Sequence, residues 1–134
     1  MDNPPDIIDA NPDGRLVLVV DDEFDVLSAY TMLFEFHGFR VRTAGNGADA
    51  LAAAARERPD IIVSDLMMPV MDGAELCRHC RADPALRDVA FILTSAGIPR
   101  PDLGVPYDAF LKKPIRFEAL LEEIHRLIAM RTAR

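Results

Sequence analysis

Two short apolar segments of this chain end in acidic residues, and this arrangement limits the folds that the sequence can adopt. Residues 16–20 read LVLVV and run into DDE, and residues 61–64 read IIVS and run into Asp65. A continuous apolar run of this length is typical of a strand that is buried on both faces of a sheet. The acidic residues are therefore expected at the end of a buried sheet.

Segments with helical spacing separate the strand-like segments. The pattern predicts strands over residues 16–20, 39–43, 61–64, 89–93 and 109–111, and helices over residues 23–37, 73–81 and 116–130, with one more helix capped by Asn46. Strands that alternate with helices in this way predict an α/β fold, in which a parallel sheet carries helices on both faces.

The length and charge of the chain limit the functions that it is expected to have. The chain has 134 residues and a formal net charge of −7, so a single domain is expected and direct binding to nucleic acid is disfavoured. No apolar run approaches the ~18 residues of a membrane span, and the acidic, proline-rich N-terminus does not resemble a signal peptide. We expect a flexible arm over residues 1–14, no membrane insertion and a cytoplasmic location.

Five polar residues are expected at one edge of the sheet, because the carboxyl ends of parallel strands meet there. They are Asp21, Asp22, Asp65, Thr94 and Lys113. Three carboxylates and one ammonium leave an excess of negative charge, which a hard cation such as Mg²⁺ or Mn²⁺ would relieve. Because Mg²⁺ commonly also binds phosphate oxygens, a phosphoryl group would complete such a site.

Asp65 is the candidate nucleophile of this pocket. A carboxylate can accept a phosphoryl group and form an acyl phosphate. Catalysis of phosphoryl transfer is mostly positioning and charge stabilisation. The metal, the ammonium of Lys113 and the hydroxyl of Thr94 are each suited to one oxygen of the transferring group.

Four motifs carry a resemblance to a known family. They are VVDDE at 19–23, SDLMMPVMDG at 64–73, LTSAG at 93–97 and FLKKP at 110–114. In this order and spacing the chain resembles the receiver domain of bacterial two-component response regulators, over roughly residues 15–131. The resemblance implies a flavodoxin-like, doubly wound sheet of five parallel strands in the order 2-1-3-4-5 with flanking helices.

The resemblance also implies a role for each matching residue. Asp65 would be the phosphoacceptor, and the metal ligands would be Asp21, Asp22, Asp65 and the backbone carbonyl of Met67, with Asp22 the more direct ligand of the acidic pair. Lys113 would bind the phosphoryl group. Thr94 and Phe110 would be the switch hydroxyl and the switch aromatic residue, and the peptide bond between Lys113 and Pro114 would be cis.

These roles imply a signalling phosphoacceptor with modest self-phosphorylation and self-dephosphorylation, and not an enzyme with its own substrate. The phosphoryl donor would be a histidine kinase or a histidine phosphotransfer protein. Phosphorylation would draw Thr94 toward the phosphoryl group and Phe110 inward, and so remodel a surface that binds a downstream protein not identified by the sequence.

The segment TSAGIPRPDLGVPYDAFLKK at 94–113 departs from the family pattern. Three prolines and two glycines leave little room for the fourth helix of a receiver domain, because proline in a helix interior costs about 3 kcal/mol. We therefore predict that this helix is short or missing, and expect a monomer or weak dimer. No output domain is recognisable in the sequence, so the expected protein is a single-domain regulator.

Three other functions remain alternatives. A phosphorylation-independent interaction module keeps the fold but not the chemistry. An aspartate-nucleophile phosphatase would need a second acid two residues after Asp65, where this chain has Met67. A flavin-binding domain would need a phosphate-binding loop after the first strand, where this chain has DDEFD. Cys77 and Cys80 lack the second pair of ligands that a structural zinc site requires.

Overall fold

The sheet and its helices are formed by the residues that the alternating pattern predicts. The structure, a computed structural model, describes residues 14–97 and 104–132, so the arm predicted over residues 1–14 lies, apart from Gly14, outside the described residues. The elements in chain order are β1 Leu16–Val20, α1 Phe24–Phe36, β2 Arg40–Ala44, α2 Gly47–Arg56, β3 Ile61–Asp65, α3 Gly73–Ala82, β4 Ala90–Ser95, β5 Ala109–Lys112 and α4 Phe117–Thr132.

The five strands form one parallel sheet in the order β2-β1-β3-β4-β5. This confirms the predicted α/β class and the strand order that the resemblance implied. In β1, which lies between β2 and β3, all five side chains are buried, whereas the edge strand β2 has two buried residues, Val41 and Ala44, and three exposed ones. The apolar runs of the sequence thus mark the strands that are covered on both faces.

Alternate residues of each strand pack into two separate hydrophobic cores, one on each face of the sheet. On one face, Leu18, Ile62 and Phe91 pack with residues of α2 and α3, including the buried thiols Cys77 and Cys80. On the other face the core consists of Val17, Val19, Phe34, Phe39, Val41, Ile61, Val63, Ala90, Ile92, Leu120, Ile124 and Leu127. The period of two along each strand therefore assigns the helices to the two faces.

Side-chain caps fix the starts of two helices near the predicted site. The amide of Asp49 donates to the side chain of Asn46 at 2.8 Å, as the sequence predicted for α2. Asp72 and Glu75 form a reciprocal capping box at the start of α3, since each side chain accepts a hydrogen bond from the other residue's amide. This capping box sets where the loop after β3 ends.

Two details of the sequence prediction need correction. The helical spacing of residues 23–37 predicts Leu33 and Phe34 on one face, but Leu33 is 39% exposed. Phe34 is buried, because its ring packs against Phe39 and Phe117 at centroid distances of 5.7 and 5.0 Å. Thr94 and Ser95 lie inside β4 and do not follow it, because the strand continues its pairing with β5 as far as Ser95.

The chain between β4 and β5 is not helical where the structure describes it, at residues 96–97 and 104–108, while residues 98–103 lie outside the described part. Four helices flank the sheet in the described ranges, in agreement with the prediction that the fourth receiver helix is reduced or missing. Within those ranges no helix has the length and apolar character needed to cross a membrane.

An ion-pair network fastens the segment before β5 to the rest of the domain. The Asp108 carboxylate accepts hydrogen bonds from Arg81, Arg131 and the Phe91 amide at 3.0, 3.0 and 2.8 Å. Arg81 also donates to the carbonyl of Pro106 at 3.0 Å. These contacts join α3, β4, α4 and the segment before β5 at the edge of the sheet opposite the predicted site.

Candidate functional site

Asp21 is the best-anchored residue of the acidic cluster. It follows β1 directly and is 3% exposed. One carboxylate oxygen accepts the amide of Glu23 at 2.9 Å, and the other accepts the ammonium of Lys113 at 3.1 Å. Its backbone amide donates to the carbonyl of Ala44 in the neighbouring strand at 3.1 Å. Asp21 therefore links the turn that follows β1 to Lys113, the lysine that follows β5.

Asp65 ends β3, and the loop after it folds back closely over the strand. The amide of Leu66 donates to the carbonyl of Thr94 at 2.7 Å, and the amide of Gly73 donates to the carbonyl of Leu66 at 2.9 Å. A Cβ atom at Gly73 would clash with the carbonyl of Asp65, so only glycine permits this approach. The ammonium of Lys113 lies 3.6 Å from the Asp65 carboxylate.

The three predicted carboxylates come together in space. Asp21, Asp22 and Asp65 each offer an oxygen, and these three oxygens lie within 4.8 Å of one another. Asp21 is buried, Asp65 is half-buried and Asp22 is exposed. Carboxylate oxygens in this number and spacing fit a small hard cation such as Mg²⁺, which retains several waters and prefers one or two carboxylates together with phosphate oxygens.

Burial and the charges of the cluster together shift the pKa values of Asp65 and Lys113. Burial raises the pKa of Asp65 above its ordinary value, and the negative charge of Asp21 adds to this, although Lys113 and the amides of Met67 and Leu66 oppose it. Burial alone would lower the pKa of Lys113, but its hydrogen bond to Asp21 and the charges of Asp21, Asp65 and Glu23 outweigh burial and raise it. Lys113 therefore stays an ammonium, and the cluster keeps an excess of negative charge.

Above the carboxylates lies an open cleft of about 550 Å³. It is lined by Asp22, Glu23, Asp65, Leu66, Met67, Ser95, Ala96, Gly97 and Lys113. Glu23 was not among the predicted site residues, although its place in the DDE sequence is the signal that could have identified it. Its carboxylate adds a further negative charge to the wall of the cleft.

The two predicted switch residues lie beside the cleft and not in its lining. Thr94 is buried, and its hydroxyl donates a long hydrogen bond of 3.5 Å to the carbonyl of Ser64. Phe110 is half-buried and packs against the core on the α2 and α3 face. Thr94 thus lies in the strand next to Asp65, its paired residue, and Phe110 lies one strand further.

Lys113 is placed by the backbone around it. Its amide donates to the carbonyl of Ser95 at 2.8 Å, which continues the pairing of β4 and β5 by one residue. The peptide bond between Lys113 and Pro114 is cis. The neighbouring Lys112 is exposed, and Lys113 is the lysine whose ammonium contacts the acidic cluster.

Comparison with known proteins agrees with this geometry. The family model described as the response regulator receiver domain matches residues 17–125. The chain belongs to the response regulator receiver domain family. A curated relative, the response regulator MprA of Mycobacterium leprae (strain TN), is 37% identical over 116 residues, which cover 84% of this chain and 50% of the relative. The chain thus spans about half the length of the curated relatives it matches.

Solved receiver structures have the same fold. The chemotaxis response regulator CheY4 of Vibrio cholerae is 30% identical, with a TM-score of 0.79 over 84% of this chain and 98% of that chain. The receiver domain of sensor histidine kinase PA1611 of Pseudomonas aeruginosa PAO1 is 28% identical, with a TM-score of 0.80 over 87% and 98% of the two chains. In that structure a magnesium ion is coordinated in the active-site cleft.

Proposed function

We propose that this receiver domain accepts a phosphoryl group on Asp65 and, in that state, presents an altered surface to another protein. The observation that carries the proposal is the cluster itself, in which three carboxylate oxygens lie within 4.8 Å of one another beside one ammonium. Such crowding leaves Asp65 short of positive partners. An incoming phosphoryl group with a divalent cation would supply what the cluster lacks.

The chain's own residues suit each part of the transfer. An oxygen of Asp65 attacks phosphorus, and the new O–P bond forms while the P–N bond to a phosphohistidine donor breaks. The donor imidazole leaves with the bonding electron pair and takes up a proton. Lys113, whose ammonium lies 3.6 Å from Asp65, neutralises a phosphoryl oxygen, and the amides that face the Asp65 carboxylate stabilise further negative charge.

A divalent cation fits this site on the chemistry of its ligands. Asp21, Asp22, Asp65 and the carbonyl of Met67 would hold Mg²⁺, or Mn²⁺ in its place. When bound, the ion would offset the negative charge that the phosphoryl oxygens bring into an already acidic cleft. Asp22 is the exposed member of the acidic pair, whereas both carboxylate oxygens of Asp21 are already engaged by Glu23 and Lys113.

The switch is proposed to run through Thr94 and Phe110. The hydroxyl of Thr94 donates a long hydrogen bond to Ser64, so a nearby phosphoryl oxygen is a favourable new partner for it. Movement of Thr94 would free space beside β5 and shift the balance of Phe110 orientations inward. The partners we propose are a histidine kinase or histidine phosphotransfer protein as the donor and a further protein as the target.

The experiment is intact-protein mass spectrometry after incubation with acetyl phosphate, with and without Mg²⁺. Wild type is expected to gain one phosphoryl group only when Mg²⁺ is present and to lose it again by slow hydrolysis. Asp65→Asn serves as the matched control and is expected to gain none. A folded wild-type protein that gains no phosphoryl group under any condition would favour the alternative, a receiver-like interaction module that works without phosphorylation.

A further inference from the structure

The surface next to Phe110 is formed by a second aromatic residue. The rings of Tyr107 and Phe110 lie 5.9 Å apart between centroids and are tilted by 59°. Both residues are half-buried, and both pack against the core on the α2 and α3 face, where Val105 is 9% exposed. Tyr107 therefore contacts the ring whose orientation the proposed switch would change.

The backbone that carries Tyr107 is fixed on both sides. The carbonyl of Pro106 accepts a hydrogen bond from Arg81, and the amide of Asp108 donates to the carbonyl of Phe91 at 2.8 Å. The amide of Tyr107 itself donates to the carbonyl of Val105 at 3.0 Å. Because the segment is held in this way, a change at Phe110 acts on the side chain of Tyr107 and not on the position of its backbone.

We infer that Tyr107 transmits the state of Phe110 to the protein surface. The described residues 104–108 are not helical, and the ring of Tyr107 contacts the ring of the switch residue Phe110. When Phe110 moves inward, Tyr107 loses an aromatic neighbour and its ring becomes more accessible to solvent and to a partner. This inference rests on the proposed function, because phosphorylation of Asp65 is what moves Phe110.

The composition of the chain allows a direct test. It contains no tryptophan and two tyrosines, Tyr30 and Tyr107, so Tyr30→Phe leaves Tyr107 as the single emitter at tyrosine wavelengths. The experiment measures quenching of this emission by acrylamide, before and after incubation with acetyl phosphate and Mg²⁺. The phosphorylated fraction of each sample is measured in parallel by mass spectrometry.

In the Tyr30→Phe protein, the quenching constant of Tyr107 is expected to rise in proportion to the phosphorylated fraction. With Thr94→Ala added, a phosphorylated protein is expected to show no such rise, because the hydroxyl that initiates the movement is missing. With Phe110→Leu added, the quenching constant is expected to be high already in the unphosphorylated protein and to stay unchanged on phosphorylation.

The outcomes separate this inference from the proposed function. A phosphorylated protein whose Tyr107 quenching equals that of the unphosphorylated protein would overturn the inference and leave the phosphoacceptor role intact. A Phe110→Leu protein with the same quenching as its parent would overturn the ring contact itself, without reference to phosphorylation. Failure of the proposed function would appear in the mass spectrum as the lack of any phosphoryl adduct, and the inference would fall with it.

Discussion

The two edges of the sheet carry charged clusters that differ in the ratio of acidic to basic groups. At the carboxyl edge of the strands, three carboxylates cluster below an open cleft, and the ammonium of Lys113 pairs with two of them, Asp21 and Asp65. At the other edge, the single carboxylate of Asp108 pairs with Arg81 and Arg131 and also accepts the Phe91 amide. Both clusters combine aspartates with basic side chains, but they differ in how many positive partners each carboxylate has.

In the Asp108 network, groups that have no carboxylate partner find backbone carbonyls instead. Arg81 donates to the carbonyls of Arg87 and Val89 at 2.8 and 2.7 Å, and Arg131 donates to that of Asp88 at 2.8 Å. At the carboxyl edge, by contrast, burial and Asp21 raise the pKa of Asp65 despite the opposing charge of Lys113, so the ionised carboxylate is only partly compensated. The comparison indicates that the first cluster stabilises the fold, whereas the second is arranged for a ligand that carries charge.

The comparison predicts the largest loss of stability at the Asp108 network. Asp108→Ala removes the carboxylate that two half-buried guanidinium groups and the Phe91 amide share, so the free energy of unfolding is expected to fall by about 2–3 kcal/mol. Urea denaturation measures this. Asp88→Asn, an exposed acid in the adjoining turn, is the matched control and is expected to stay within about 0.5 kcal/mol of wild type. Equal, small effects for both variants would contradict the structural assignment of the network.

The largest loss of activity from a residue other than Asp65 is expected at Lys113. Lys113→Ala removes the ammonium that we propose neutralises a phosphoryl oxygen, and the rate of adduct formation with acetyl phosphate is expected to fall about 100-fold. The rate follows from mass spectra recorded at timed intervals. Lys112→Ala, which removes the exposed neighbouring ammonium, is expected to react at the wild-type rate. Similar rates for both variants would show that Lys113 has no special role.

Replacement of Asp65 is expected to have a smaller effect on stability, and to raise it and not lower it. Because its pKa is raised in the folded state, the folded protein holds this proton to higher pH than the unfolded chain does. Stability is therefore lost as the pH rises from the unfolded pKa to the folded pKa, and at pH 7 the ionised group still opposes folding. Asp65→Asn is thus expected to raise the melting temperature at pH 7 in the presence of EDTA, and to raise it less in acid.

The control for this measurement is again Asp88→Asn, whose exposed carboxylate belongs to neither cluster. It is expected to leave the melting temperature unchanged at both pH values. If Asp65→Asn has a lower melting temperature than wild type at pH 7, this would contradict the view that the ionised Asp65 carboxylate opposes folding.

The smallest expected effect concerns the loop that borders the cleft. Val70 has a φ of 70° and is 81% exposed, so a β-branched residue occupies the left-handed region without the compensation of burial. Replacing Val70 by glycine removes a steric cost of about 1–2 kcal/mol, but glycine also has a larger conformational entropy in the unfolded chain, which favours unfolding. The net effect expected for Val70→Gly is a stabilisation of about 0.5–1 kcal/mol. Thermal unfolding measures this, with Val70→Ala expected to gain less because alanine keeps a Cβ atom.

Much of the sheet and the composition of the cleft could be predicted from the sequence. The apolar runs before Asp21 and Asp65 mark buried strands, and the geometry of parallel strands brings their carboxyl ends to one edge. This reasoning places Lys113 beside two acids that lie far from it in the chain. The individual roles of these residues were implied by the resemblance and remain predictions until the chemistry is measured.

Other features of the structure could not be predicted from the sequence. Arg81, Asp108 and Arg131 are separated by 27 and 23 residues, and no periodicity links them. The exposure of Leu33 depends on the rotation of α1, which the packing of Phe34 against two other rings decides. The contact between Tyr107 and Phe110 likewise depends on a segment whose path is set by tertiary hydrogen bonds.

The most direct test of the central claim is to locate the phosphoryl group. After incubation with acetyl phosphate and Mg²⁺, borohydride reduces an aspartyl phosphate to homoserine, and peptide mass spectrometry identifies the converted residue. The account predicts homoserine at position 65 and unmodified aspartate at positions 21 and 22. Conversion at Asp21 or Asp22 with position 65 unmodified, or a phosphorylated protein in which no aspartate is converted, would contradict it.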